Sequence, residues 1–332
     1  MMKKIPFATT LLLASTLPAV SPAQTFPSMP DSQRLVQLEP PTRTPVPMVL
    51  DTDTFNEIDD QFALVYALLS PEVEVEAVYA APFHNDRSSG PADGMEKSYQ
   101  EILRLLERLG VSPERLVFRG SDRYLPDWDH PVESDAARDL IAKAMARSED
   151  DDPLYVVAIG AITNVASAIL LEPEIIKRIV VVWLGGHAFH WLNTKEFNLW
   201  QDPQAARAIF DGGVPVVQIP VMGVCSHLHT TIPEIERYVQ GCGAIGDYLA
   251  ETVKGYHKEH FGWSKVIWDI ATIAYLLDES WTPTHLVHSP ILTDQGTWSF
   301  DAGRHFIRSA WHVHRDPIFR DVFTKLETRK AK

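Results

Sequence analysis

The chain has 332 residues, 45% of them hydrophobic, which is ample for a buried core, and a net charge of −14. That acidic balance, with no run rich in Lys or Arg, argues against a phosphate-backbone footprint and so against a nucleic-acid partner. Cys225 and Cys242 are too few for a disulfide scaffold or a thiolate metal site, and spacing alone leaves open whether they pair.

The N-terminus, MMKKIPFATTLLLASTLPAVSPAQ, sets Lys3 and Lys4 before an apolar run, then Ser21 and Ala23 in an A-x-A-like register. It reads as a cleavable signal peptide over residues 1–23, too short and too interrupted by Pro to serve as a membrane anchor. Secretion, into a periplasm, is the expected localisation. Residues 24–45 are Pro-rich and polar, and are expected to drape over the domain or to stay flexible.

From Val46 the pattern alternates short apolar runs with helix-period segments. Strands are predicted at 46–50, 73–81, 116–118, 154–159, 179–184 and 214–219, and helices at 60–69, 94–109, 136–146, 163–171 and 203–210. The segment 298–314 alternates like a strand around Trp311 and Val313. This succession predicts an α/β fold: a mainly parallel sheet with helices on both faces and a Rossmann-like core, in one domain over residues 46–332. Ligands in such sheets sit at the carboxyl ends of strands. Three polar segments occupy those ends: DTDTFNEIDD after VPMVL, GAITN after LYVVAI, and GGHAFHW after IVVVWL.

Asp51, Asp53, Glu57, Asp59 and Asp60 crowd five carboxylates into ten residues, whose mutual repulsion calls for a cation or shared protons. Oxygen donors without Cys or clustered His select hard cations, Ca²⁺ or Mg²⁺. The bland alternative is an acidic turn capping the next helix, which needs one acid and not five. An EF-hand fails, because Phe55, Asn56 and Phe62 stand where a ligand, a Gly and a Glu are required. VLDTDT also resembles the opening of haloacid-dehalogenase-type phosphatases, with Asp51 as nucleophile, although no later Lys and acidic metal motif follow in order.

The order of motifs carries a more specific resemblance. DTDTFNEIDD, GAITNVASAIL, WLGGHAF followed by KEFNLWQDPQAA, and a final Trp268-Asp269 resemble, in sequence, the segments of the inosine/uridine-preferring nucleoside hydrolase family. The resemblance implies a nucleoside-hydrolase-like fold and Ca²⁺-dependent hydrolysis of the N-glycosidic bond of ribonucleosides, with homo-oligomers plausible. It implies that Asp53, Asp60, the Thr163 carbonyl and Asp269 hold the metal, and that Asp53 is the base that deprotonates the attacking water. Asp59, Asn85, Glu196 and Asn198 would hold the ribose, and Asp51 would support the centre from behind. Two departures stand out: five residues separate Asp53 from Asp59 where the signature has three, and Trp268 stands where many members place a His. Trp cannot act as an acid but can stack on a base, which points toward purine nucleosides. His187, His190, Trp191, Trp128 and His130 are further candidates for the base pocket. A calcium-dependent nucleoside-binding protein without turnover is the non-enzymatic alternative.

Overall fold

The computed structural model describes residues 26–148 and 151–330, so the signal peptide read over residues 1–23 lies outside the described residues. Helix α1 (Asp31–Gln37) precedes β1 (Val46–Thr52), α2 (Asp59–Leu69), β2 (Val73–Ala80), α3 (Pro91–Leu109), β3 (Val117–Arg119), α4 (Asp135–Met145), β4 (Leu154–Ala158), α5 (Thr163–Leu171) and β5 (Ile179–Leu184). Then come α6 (Phe197–Gln201), α7 (Pro203–Asp211), β6 (Val216–Ile219), β7 (His229–Thr231), α8 (Ile232–Glu234), α9 (Gly243–Tyr256), β8 (Ser264–Val266) and α10 (Ile270–Leu277). The chain closes with β9 (Thr284–His288), β10 (Ile291–Leu292), β11 (Trp298–Ser299), β12 (Phe306–Ala310) and α11 (Arg315–Glu327).

Eight strands form one sheet in the order β3-β2-β1-β4-β5-β6-β12-β9. All neighbours are parallel except the edge pair β12 and β9. The central strands are apolar on both faces because helices cover both. In β1, Val46, Met48 and Leu50 pack into one core with α2, α3, α9, α10 and α11, while Val49 faces a second core with α4, α5 and α7. The whole of β5, IVVVWL, is buried. Each Val, Leu or Ile so buried contributes about 1.5–3 kcal/mol, enough to make the strand ends a rigid platform. The order reverses between β1 and β4, the switch point at which such sheets bind ligands. Among the described residues no helix is long and apolar enough to cross a membrane.

Several boundaries move for physical reasons. Helix α3 starts at Pro91 and not at Gly94, since Pro is favoured in a first turn. Gly94 lies inside it because an added Cβ would meet the Phe83 carbonyl oxygen at 2.0 Å. The strand expected from 214 starts at Val216, after Pro215, and residues 311–314 leave the sheet. Within the 24–45 segment, α1 lies against the domain. Arg34 donates to the Gly213 carbonyl and Gln37 to that of Lys177, both at 2.6 Å, and Leu38 is fully buried. Cys225 and Cys242 are buried free thiols.

Candidate active site

The acidic segment is held where β1 ends. Asp51 pairs in register with Tyr79 of β2 and Ala158 of β4, and its carbonyl accepts the Ile159 amide at 2.8 Å. The chain then turns, with the Asn56 amide bonded to the Asp53 carbonyl at 2.7 Å, and enters α2 at Asp59. Glu57 is directed to Lys265 Nζ at 2.8 Å and receives the Tyr256 hydroxyl, while Arg87 stacks over Phe55. Asp59 and Asp60 occupy the first turn of α2, at its positive end.

Asp59, Asp60 and Asp269 converge from two segments far apart in sequence, each bringing an oxygen within 4.8 Å of the others. Asp53 touches this group through Asp60 and is fully buried. Both Asp53 carboxylate oxygens, and Oδ1 of Asp59, lack a hydrogen-bond partner. Like charges 4 Å apart repel by about 4 kcal/mol at an effective dielectric near 20, and several such pairs would consume the whole stability of a domain. Among the described residues the buried cation beside them, Lys265, is 4.0 Å from Asp59 and already serves Glu57. Orphaned carboxylate oxygens around a shared point fit a divalent cation with oxygen ligands.

In the cation's absence, burial pushes the Asp59 carboxyl up to about 7 against the pull of Lys265. Burial and neighbouring carboxylates raise Asp53, Asp60 and Asp269 well above the usual range. Glu57 goes the other way: burial raises it, but Lys265 together with the hydrogen bonds it receives holds it below the usual range.

A cavity of about 610 Å³ opens above the cluster. Asp59, Asp60 and Asp269 line it together with Asn85, Glu196, Asn198 and Trp268, so six of the residues predicted for ribose, base or metal share one wall with Asp59. Asp53 does not itself line the cavity. Thr163 begins α5, and its hydroxyl donates to Asp202 at 2.6 Å. Of the weaker base-pocket candidates only His187 enters the wall. Trp128 bonds the Gln204 carbonyl and His130 pairs with Asp127.

Glu196 caps α6, a helix not predicted, rather than the Pro203 helix, which Asp202 caps. Its carboxylate accepts the amides of Asn198, Leu199 and Gly186 at 2.9–3.0 Å, yet burial still raises it to about 7. Asn198 Nδ2 donates to the carbonyls of Ile159 and Leu184, stitching the ends of β4 and β5 and leaving Oδ1 as an acceptor. Asn85 donates to Asn56 Oδ1 at 2.6 Å. Trp268 is half-buried: one side packs on the core and the other faces the cavity.

Sequence reading missed several supports. Asn164 Nδ2 donates to Asp51 Oδ1 at 2.7 Å, and Thr52 Oγ1 to Asp60 Oδ1 at 2.6 Å. An Asn at the start of an otherwise apolar helix was the available signal. Asp51, fully buried and bonded to Asn164, does not line the cavity, and burial lifts it to about 7; it stands behind the carboxylate cluster. Gly160 lets β4 approach the centre, since an added Cβ would lie 3.1 Å from Asp53 Cγ and from Ala81 Cβ. Gly160→Ala is therefore expected to displace Asp53 by a few tenths of an ångström and to lower kcat/KM about three- to tenfold with little loss of Tm; unchanged kinetics would show that the approach is not needed.

A doubly wound α/β sheet with a buried carboxylate cluster able to hold a cation, and a cavity above it at the switch point, is the arrangement of an enzyme acting on a small molecule. Comparison with known proteins then specifies it: residues 48–308 match the family described as inosine-uridine preferring nucleoside hydrolase, and the chain belongs to that family. It is 30% identical over 262 residues to the pyrimidine-specific ribonucleoside hydrolase RihA of Klebsiella pneumoniae, covering 70% of this chain and 79% of that protein. The fold is similar to a plant nucleoside hydrolase, PpNRh1, at TM-score 0.68 and 21% identity, covering 85% of this chain and 99% of the other. It is also similar to a purine-preferring ribonucleoside hydrolase from Gardnerella vaginalis, at TM-score 0.67 and 22% identity, covering 86% and 99%.

Proposed function

We propose that the protein is a Ca²⁺-dependent ribonucleoside hydrolase with a preference for purine nucleosides, acting outside the cytoplasm. The observation that carries this reading is the set of buried, unpartnered carboxylate oxygens beneath a cavity walled by Glu196, Asn198, Asn85 and Trp268. Asp53, Asp60 and Asp269, with the Thr163 carbonyl, would hold the cation; Asp59, which shares their focus, is a further ligand or a ribose contact. When bound, Ca²⁺ supplies the positive charge that grips sugar hydroxyls and acidifies a water.

The residues divide the remaining work. Asp53 takes the proton of the water that attacks C1′. The C1′–N bond breaks with its electron pair passing to the base, and the carboxylates stabilise the oxocarbenium-like sugar. Asn198 accepts from a ribose hydroxyl through Oδ1, because its amide nitrogen is committed to two carbonyls. Glu196, whose oxygens already take three amides, has capacity left for one hydroxyl.

Trp268 supports the purine preference, since a large ring system stacks over more of an indole than a pyrimidine does. The relatives differ on this point, one being pyrimidine-specific and another purine-preferring. Trp268→His is expected to shift the inosine-to-uridine ratio of kcat/KM about tenfold toward uridine, and an unchanged ratio would return Trp268 to core packing. The export reading rests on residues 1–23 and predicts a mature chain starting at Gln24, which N-terminal sequencing of secreted material would check.

The direct test is release of base and reducing sugar from inosine, adenosine, guanosine, uridine and cytidine with Ca²⁺ and after EGTA. Calcium-dependent release ranks the bases at once. Binding of inosine without any release would make the protein a nucleoside-binding one.

A further inference from the structure

The Met222 backbone amide donates to His187 Nδ1 at 3.3 Å. A backbone amide can only donate, so Nδ1 must accept, and the neutral imidazole carries its proton on Nε2. The residue is pinned at two more points: its own amide donates to Thr194 Oγ1, and its carbonyl accepts the Trp298 indole N–H, both at 3.0 Å. Burial lowers the imidazole below its ordinary pKa, and an amide hydrogen already facing Nδ1 opposes a second ring proton, so the ring stays neutral at neutral pH. Among the described residues no protein group bonds Nε2, and His187 lines the cavity together with Trp268, Met222, Asp59, Asp60 and Asp269.

We propose that His187 is the leaving-base recognition group: its Nε2–H donates a hydrogen bond to an acceptor on the nucleobase, a purine ring nitrogen or a pyrimidine carbonyl oxygen, and the bond strengthens as the C1′–N electron pair moves onto the base. This rests on the hydrolase reading above. His187 keeps its proton throughout; the departing base takes its proton from water, and the attacking water gives one to Asp53. The group thus compensates for Trp268, which presents a stacking face where an acid would otherwise stand. A fixed neutral donor is suited to this task because it needs no change of ionisation between pH 6.5 and 9, so it leaves no limb in the pH profile there.

The test compares the wild-type protein, His187→Phe and His187→Gln on inosine, on uridine and on 4-nitrophenyl β-D-riboside, whose phenolate departs without help from a donor. His187→Phe is expected to lower kcat on both nucleosides about 10- to 100-fold, with a loss on the nitrophenyl riboside at least about tenfold smaller, and His187→Gln, which keeps an N–H, is expected to recover part of it. Equal losses on all three substrates would reduce His187 to a packing residue and overturn the proposal, as would nucleoside kcat within twofold of wild type in His187→Phe. Failure of the wild-type protein to cleave the nitrophenyl riboside and every nucleoside would sink the hydrolase reading itself, and the proposal with it.

Discussion

Asp53→Asn is expected to lower kcat on the best nucleoside about 100- to 10,000-fold, the range that a positioned general base supplies. The substitution is nearly isosteric and keeps one oxygen for a cation, so Ca²⁺ binding measured by calorimetry should weaken but persist. Burial, then Asp60, Asp59 and Glu196, raise the Asp53 carboxyl in the absence of metal, so the ionised base depends on the cation's charge. An amide has no such dependence and cannot take the proton. Without metal the fully buried Asp53, both oxygens unpartnered, must either take up a proton or repel its neighbours, whereas Asn needs neither, and Tm without metal should rise. Loss of activity together with a gain in apo stability is a signature that a purely structural role would not produce. Activity within a few-fold of wild type would remove Asp53 as the base.

Removing the cation is the second large perturbation. At a Ca²⁺ concentration about 100 times its Kd, linkage contributes about 2.7 kcal/mol, or roughly 3–6 °C in Tm for a chain of this size, and chelation should remove it. The apo protein should also show a distinctive pH dependence. Asp59 and Glu196 are raised to about 7 by burial, whereas carboxyls in the unfolded chain titrate near 4. The folded state therefore holds these protons more tightly than the unfolded one. Their contribution is fully present below about pH 4 and is lost as pH rises through about 7. Without metal, Tm should fall between about pH 4 and 7; with Ca²⁺, the ionised carboxylates are compensated and that slope should flatten. Scanning fluorimetry at several pH values, with metal and after chelation, checks both effects. Identical curves under the two conditions would mean that no cation centre exists here.

The mainly parallel sheet could be read from the sequence because each central strand is a short, continuous apolar run, as burial on both faces demands. DTDTFNEIDD could be read because five carboxylates in ten residues have no cheap structural explanation. Local chemistry also placed GAITN and GGHAFHW at strand ends, whereas Glu196 and Asn198 came only from the family resemblance. Less was visible where structure depends on contacts distant in sequence. Helix α6 has only five residues and is held by Glu196 bonding back to Gly186 across the cavity wall, so no periodicity announces it. Strand β12 falls within the strand-like segment 298–314, but its antiparallel partner β9 was missed because a short, half-exposed strand carries little pattern.

What the sequence by itself determined is therefore the alternation of elements, the acidic turn and its place at a strand end, since these follow from burial periodicity and charge crowding within a few residues. Only the tertiary structure decided which carboxylates share a focus. Asp269 reaches Asp59 and Asp60 because α10 packs against α2, and Asp51 is retired behind Asn164 because β4 returns beside β1. The same holds for Lys265, which answers Glu57 across 208 residues of chain, and for His187, whose tautomer is set by the Met222 amide. Electrostatic and hydrogen-bond partnerships act over a few ångströms of space, and the fold alone determines which residues come within that distance.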